Sequence, residues 1–424
     1  MAEVNKYANV NTACSISAHR AKSTGKVDYT DLEAEQHALE VGVPPRPLTT
    51  VKEVDDRGVF VRQPNSFITP FGDKEGDLKA EDKRYIIYWT YSCNWSNRPV
   101  IAADILGLND VIYNEPVLNT GESGKYGWGF GAYKDHKDPY SGAYFLSEFY
   151  KNADPNFHGR ATTPTIVDLK TKKAVNNDYH RMSNYIEVFF YKYQTNDIDL
   201  YPKAYRKEID EFNDWLFTTV NNDHYRMAFG QTPEAYKEGY DDFYDSLEKL
   251  DKRLETNRFL FGDYMTDSDI RLYVTLVRWE TWYYKDIGPA KQRITEYKNI
   301  WGYVLDLFSN PSFKKFTFFP TPERRSGVDI AQNNDFLQTY DDRISYKIDY
   351  EKRWATDGKR ALLSKDKDVY LRHKKDEGYE DYKSEISKTI WNSDNWDDRN
   401  PRNAKVVLSV DPSINPLKGK LSNK

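Results

Sequence analysis

The stretch that decides the fold runs from Arg84 to Val117: RYIIYWTYSCNWSNRPVIAADILGLNDVIYNEPV. RYIIYW is short, β-branched and aromatic, the composition of a buried strand. After Cys93 the apolar residues Val100, Ala103, Ile105, Leu106 and Leu108 recur at helical spacing, and Gly107 marks the helix end. DVIYNEPV then reads as a second strand. Strand, helix, strand requires a crossover, which predicts a parallel pair. Cys93 is one of only two cysteines in 424 residues, and it stands at the strand-to-helix junction.

Working outward, a Gly- and Tyr-rich loop (NTGESGKYGWGFGAYKDHKDPYSG) leads into a helical YFLSEFYKNADP. ATTPTIVDLKTKKAVNN reads as two short strands across a turn, and DYHRMSNYIEVFF as a closing helix. The full order, strand-helix-strand-helix-strand-strand-helix, is the thioredoxin-like arrangement. Beyond Tyr201 the period becomes helical. Ile209, Phe212, Leu216, Phe217 and Val220 form one face, and Tyr236, Tyr240, Phe243, Leu247, Leu250 and Leu254 another. In MTDSDIRLYVTLVRWETWYY, Thr266 is an N-cap candidate with Asp269 three positions on. That helix is apolar on several sides, which predicts the centre of a bundle. YKNIWGYVLDLFSNPSF is a further helix. The expected divisions are an arm over 1–50, a thioredoxin-like α/β domain over 51–195, an all-helical domain over 196–344, and a charged helical extension and tail over 345–424. Trp354, Trp391 and Trp396 are the expected docking points of that extension; a solvated tail is the competing reading.

Composition narrows the function. A net charge of -5 with acids and bases interspersed gives no support to a nucleic-acid or membrane-surface role. No apolar run approaches the roughly 20 residues of a membrane span. The N-terminus lacks the apolar core of a signal peptide. With Cys14 and Cys93 alone there is no disulfide framework, so a reducing, cytoplasmic setting is expected. Seven scattered histidines show no metal-ligand spacing, so no metal is expected. Tyr 33, Phe 21 and Trp 10 supply flat walls for a cleft, some with hydroxyl tips.

A cysteine in a turn before a helix faces the first helical amides, and these favour thiolate over thiol. Arg98 adds positive charge about one turn on. Thiolate is the nucleophile of thiol-disulfide exchange. The alternative is a small buried hydrophobe. The segment SCNWSNRPVIAADILGLNDVI resembles the active-site segment of the xi-class glutathione transferases, the glutathionyl-hydroquinone reductases. Their motif is Cys-Pro-Trp-Ala-His-Arg, followed by an apolar helix ending in Leu-Lys-Gly-Leu. Cys93, Trp95 and Arg98 match; Asn94 replaces the proline and Asn97 the histidine. YGWGF, LSEFYKNADPNFHGRATTPTIVD, VNNDYHRM, LYPKAYRKEIDEFNDWLFTTVNNDHYRMAFGQTPEAY, RFLFGDYMTDSDIRLYVTLVRWETWYY and SINPLKGKL resemble later family segments in the same order.

The resemblance implies a thioredoxin-like domain followed by a glutathione-transferase-type helical domain. It implies Cys93 as nucleophile, taking glutathione, or another low-molecular-weight thiol, from a small aromatic hydroquinone-like conjugate through a mixed disulfide. It implies a cis Thr163-Pro164 peptide whose backbone meets the thiol co-substrate, with Trp95, Arg98, Trp128, Asp178 and Tyr179 around it. Tyr225 and Tyr283 fall on family tyrosines that face the aromatic substrate, and a hydroxyl there can donate a proton to the leaving carbon. Family members are commonly homodimers. Tyr179 stands where the family has a serine that binds the γ-glutamyl carboxylate, and a phenol is expected to fill that pocket. Arg271 and Arg278 are expected in buried ion pairs. The competing function is a non-catalytic binding protein on the same scaffold.

Overall fold

The computed structural model describes residues 36–40, 53–62, 65–91, 93–119, 126–130, 137–281, 283–285, 287, 290–319, 349–374, 378–384, 386, 406 and 408–423. Cys14, Trp391, Trp396, nearly all of the 1–50 arm and much of 345–405 lie outside them.

The first half is built on β1 (Tyr85–Trp89), whose five residues are all buried. It pairs in parallel with β2 (Tyr113–Pro116), Ile86 opposite Tyr113. On its other edge it pairs antiparallel with β5 (Thr165–Asp168), which pairs with β6 (Lys173–Asn176), giving the order β2-β1-β5-β6. The helix α1 (Asn94–Ile105) makes the β1-to-β2 crossover; α2 (Leu146–Ala153) and α3 (Met182–Phe189) complete the thioredoxin-like order. Gly107 ends the α1 crossover at φ +69, where an added Cβ would lie 2.0 Å from Thr195 Oγ1. A small hairpin of β3 (Leu118–Asn119) and β4 (Trp128–Gly129), not foreseen from the sequence, sits in the Gly-rich loop.

Alternation along β1 divides the interior. Tyr85, Ile87 and Trp89 join a core shared with α1, α3 and the helical half. Ile86 and Tyr88 point the other way, into a second core with Phe149 and Tyr150 of α2, where Cys93, Trp95 and Trp128 also lie. A strand covered on both faces has to be apolar throughout, which is why RYIIYW shows no polar alternation.

The helical half comprises α4 (Arg206–Leu216), α5 (Asp223–Phe229), α6 (Pro233–Leu254), α7 (Asp267–Thr281), α8 (Lys298–Phe308) and α9 (Pro311–Lys315). All fifteen residues of α7 are buried. Thr266 stands at the N-cap position, as expected, with its own hydroxyl donating to Asp269 instead of accepting an amide. The Asp269 carboxylate accepts from Thr266 N (2.8 Å), Thr266 Oγ1 (3.1 Å), Leu260 N (2.9 Å) and Tyr303 Oη (2.9 Å). One carboxylate thus caps α7, fixes the preceding loop and ties in α8. Between α4 and α5, Phe217–Asn221 form a π-helical turn.

The described parts of 349–386 are helical only in α10 (Tyr350–Trp354), α11 (Tyr379–Tyr382) and a 3-10 turn, Ala361–Leu363. Trp354 is buried and meets Trp301 edge-on at 5.3 Å, so the extension docks through this aromatic. The tail returns to α6, where Arg253 Nη1 donates to the carbonyls of Pro412 (3.0 Å) and Ile414 (2.8 Å). Among the described residues no helix is long and apolar enough to cross a membrane.

Asp269→Ala leaves two backbone amides and the Thr266 hydroxyl without their buried acceptor, and leaves Tyr303 Oη only the 3.4 Å contact with the residue 269 carbonyl. Urea denaturation is expected to show a loss of at least about 3 kcal/mol, since each stranded buried group costs roughly 1–3 kcal/mol.

Candidate active site

Cys93 is the N-cap of α1, with extended backbone (φ -101, ψ 111). Its thiol lies 3.7 Å from the Thr163 carbonyl, to which it donates. Thr163-Pro164 is a cis peptide. The cis bond is the one the family resemblance implied, and the Thr163 carbonyl before β5 here meets the Cys93 sulfur itself. Cys93 has no exposed surface, and neither has Trp95. The sulfur is at a helix start, yet it is sealed within an aromatic cluster in this conformation.

The two halves are stitched together beside it. Tyr225 Oη donates to Asn94 Oδ1 at 2.9 Å and lies 3.4 Å from Tyr283 Oη. Asn94 Nδ2 reaches Thr275 Oγ1 on α7 at 3.4 Å. Thr275 Oγ1 also accepts from Asn221 Nδ2 (2.8 Å), and Asn221 Oδ1 accepts from Arg98 Nη2 (2.8 Å). The π-helical turn presents Asn221 to Arg98, and π-turns recur at functional sites. Arg98 lies over Trp95 at 4.6 Å. Its pKa is pushed down to about 9, first by burial and then by the charge of Arg271. Trp128 is buried in the same cluster as Cys93.

Asp178 and Tyr179, adjacent in sequence, face different places. Asp178 Oδ1 accepts from the amides of His180 (3.1 Å) and Arg181 (3.3 Å) at the start of α3. Asp178 also lines a cleft of about 720 Å³ between α3, residues 66–77 and Lys383. Tyr179 turns inward, 5.0 Å from Trp95, and fills the space beside it. His180 is held neutral by burial and then by the charges of Arg98, Arg271, Arg181 and Arg62. Those four guanidiniums give the neighbourhood a positive field. Arg271 pairs with Asp267 at 2.5 Å, as expected, and Arg278 donates to the Tyr91 carbonyl at 2.5 Å.

Residues 53–62 form a strap across this site that the sequence reading did not identify. Arg62 places its guanidinium carbon 5.2 Å from the Trp95 ring, 5.0 Å from Tyr179 and 5.4 Å from Tyr225. Phe60 packs on Phe229 at 5.1 Å. Glu53 holds Arg160 through two buried bonds of 2.6 and 2.7 Å. Gly58 (φ +81) passes so close to Thr232 that an added Cβ would meet Thr232 Cγ2 at 2.8 Å. The one available signal was spacing: in GVFVR, Phe60 and Arg62 are two apart and share a face of an extended segment.

The family described as glutathione S-transferase, C-terminal domain, matches residues 233–305. The glutathionyl-hydroquinone reductase YqjG of Escherichia coli is 32% identical over 256 residues, covering 58% of this chain and 74% of YqjG. The chain belongs to the xi-class glutathione transferases. The crystal structure of the glutathione-S-transferase Xi from Phanerochaete chrysosporium superposes with a TM-score of 0.58 at 31% identity, covering 62% of this chain and 86% of that one. The glutathione-bound structure of YqjG, at 30% identity, has a TM-score of 0.53 with coverage of 62% and 86%. This xi-class chain carries the glutathione-transferase fold.

Two outcomes follow. Glu53→Gln weakens the strap's hold on Arg160. Alkylation of Cys93 by iodoacetamide, followed peptide by peptide in a mass spectrometer, is expected to speed up about ten-fold, the size of a 1.4 kcal/mol loss of closure. An unchanged rate would show that the pair does not hold the site shut. Burial raises the Asp178 carboxyl from 3.8 to about 6. The folded chain keeps a proton there that the unfolded chain releases, so this contribution to stability is full below about pH 4 and is lost as pH rises through about 6. Asp178→Asn retains the amide acceptor and is expected to flatten the stability profile between those values.

Proposed function

We propose that this chain is a thiol-dependent reductase that removes glutathione, or a related low-molecular-weight thiol, from a small aromatic hydroquinone-like conjugate. The Cys93 thiolate attacks the conjugate's sulfur. The carbon–sulfur bond breaks, a sulfur–sulfur bond forms to Cys93, and the ring carbon takes the bonding pair and a proton. The hydroxyl pair Tyr225 and Tyr283 is the proposed proton source. A second thiol then attacks the mixed disulfide, releasing the oxidised thiol dimer and restoring Cys93.

The observation that carries this reading is the Cys93 thiol at the α1 start, in contact with the Thr163 carbonyl of the cis Thr163-Pro164 peptide. The arginines around His180 favour the thiolate, and the Thr163 carbonyl accepts from the thiol that an incoming ligand has to release. Trp95, Trp128, Arg98 and Tyr179 would surround the incoming thiol and Asp178 would bind its amine, with no metal in the step. A homodimer is part of this reading. The strap and Tyr179 have to give way for the thiol to enter. A second reading, a binding protein on the same scaffold, is favoured by Tyr179 filling the space beside Trp95. It predicts an inert Cys93.

Incubation with glutathione disulfide is expected to leave one glutathionyl adduct on the Cys93 peptide, and Cys93→Ser to abolish turnover of a glutathionyl-hydroquinone. No adduct from glutathione disulfide or other thiol disulfides, with no turnover, would leave the binding-protein reading.

A further inference from the structure

His224 stands beside the tyrosine pair and takes no part in the step above. It lies on α5, next to Tyr225, and has no exposed surface. Its ring stacks on Tyr283, with centroids 4.2 Å apart and planes at 17°, and lies 3.6 Å from the Tyr225 ring. Among the described residues neither ring nitrogen has a hydrogen-bond partner. Burial, and then the charge of Arg62, push its pKa well down, so the ring is neutral and carries one donor and one acceptor.

Two unmet nitrogens in a buried site cost roughly 1–3 kcal/mol each, and a phenyl ring would stack as well without that cost. Stacking therefore accounts for an aromatic at 224 but not for an imidazole. The Trp95 ring, 5.7 Å from that of Tyr225, also buries an Nε1 that has no hydrogen-bond partner among the described residues. Two rings packed against Tyr225 thus carry unmet polar groups. A partner admitted between such rings has to be flat. To satisfy a neutral imidazole it has to donate or accept through a small group, and a ring hydroxyl does both.

We propose that His224 is a specificity-determining residue that hydrogen-bonds a ring hydroxyl of the aromatic acceptor. The proposal rests on the thiol-reductase reading of the Cys93 site and names what that site recognises. The test pairs two probes: a glutathionyl-hydroquinone, and the mixed disulfide of glutathione with 2-mercaptoethanol, which has no ring. His224→Phe keeps the stacking and removes both nitrogens. Its kcat/KM for the hydroquinone conjugate is expected to fall about ten-fold, the value of one net hydrogen bond, with turnover of the ringless disulfide within about two-fold. Its Tm is expected to be unchanged or raised. His224→Gln, which restores a donor and an acceptor, is expected to recover part of the loss. A parallel fall for both probes, or no fall for either, overturns the assignment. Calorimetric titration with free hydroquinone separates this from failure of the reductase reading. Binding that His224→Phe loses, in a chain that turns over neither probe, keeps His224 and removes thiol exchange. Turnover that His224→Phe leaves intact removes His224 alone.

Discussion

The placement of Cys93 depends on how α1 is held, and α1 is held by a guanidinium with too few partners. Arg98 is buried, donates to Asn221 at 2.8 Å and covers Trp95, while its Nε and Nη1 have no hydrogen-bond partner among the described residues. A buried cation without a bonded carboxylate is costly, and burial pushes its pKa down to about 9. What it gains is position. Through Asn221 and Thr275 it locks the α1 start to α7, and Asn94 locks the same start to Tyr225. A shift of α1 along its axis would break both connections at once. The sulfur is therefore fixed relative to the tyrosines by the interface between halves, not by β1 alone.

That interface explains two departures from the family motif. Asn94 stands where a proline would end the loop. A proline has no side-chain acceptor, so the Tyr225 hydroxyl would lose its 2.9 Å bond. Tyr179 stands where a small hydroxyl is expected; its ring closes against Trp95, and Arg62 lies over both. Cation–π contacts are worth roughly 0.5–1 kcal/mol at exposed sites and about 2 kcal/mol when desolvated, and Arg62 is half-buried. Three rings around one guanidinium make the strap a substantial part of the closed state.

Local pattern carried much of the fold. The β1–α1–β2 unit was legible because a doubly covered strand and an amphipathic crossover have different periods. The Cys93 and Thr163-Pro164 positions were legible through the ordered likeness of short segments. Contacts between segments distant in sequence were not. Asn94 meets Tyr225 across 131 positions, and Glu53 meets Arg160 across 107. No periodicity encodes such pairs; they exist only once both halves are packed. The π-helical turn was also hidden. Phe217 and Val220 continue the apolar face of α4, and both are buried as that face requires, yet the backbone widens beneath them. Composition pointed to helix in the extension, where charge-rich segments follow bridges such as Met265 to Tyr370 instead.

The closed site and its unmet polar groups have a common physical sense. A cluster optimised for stability alone would fill with hydrocarbon, leaving no stranded nitrogen on His224 or Trp95 and no cation on α1. Retaining them costs free energy, which a polar, flat ligand that bonds them would offset. The same holds at the sulfur. The contact between Cys93 and the Thr163 carbonyl is 3.7 Å long, weak enough for a competing donor to displace. Arg62 of the strap lies over Trp95, Tyr179 and Tyr225, so an entering ligand meets these rings and the strap together. Binding energy from strap, ring and sulfur contacts is thereby concentrated on one event, the entry of a ligand that meets all three.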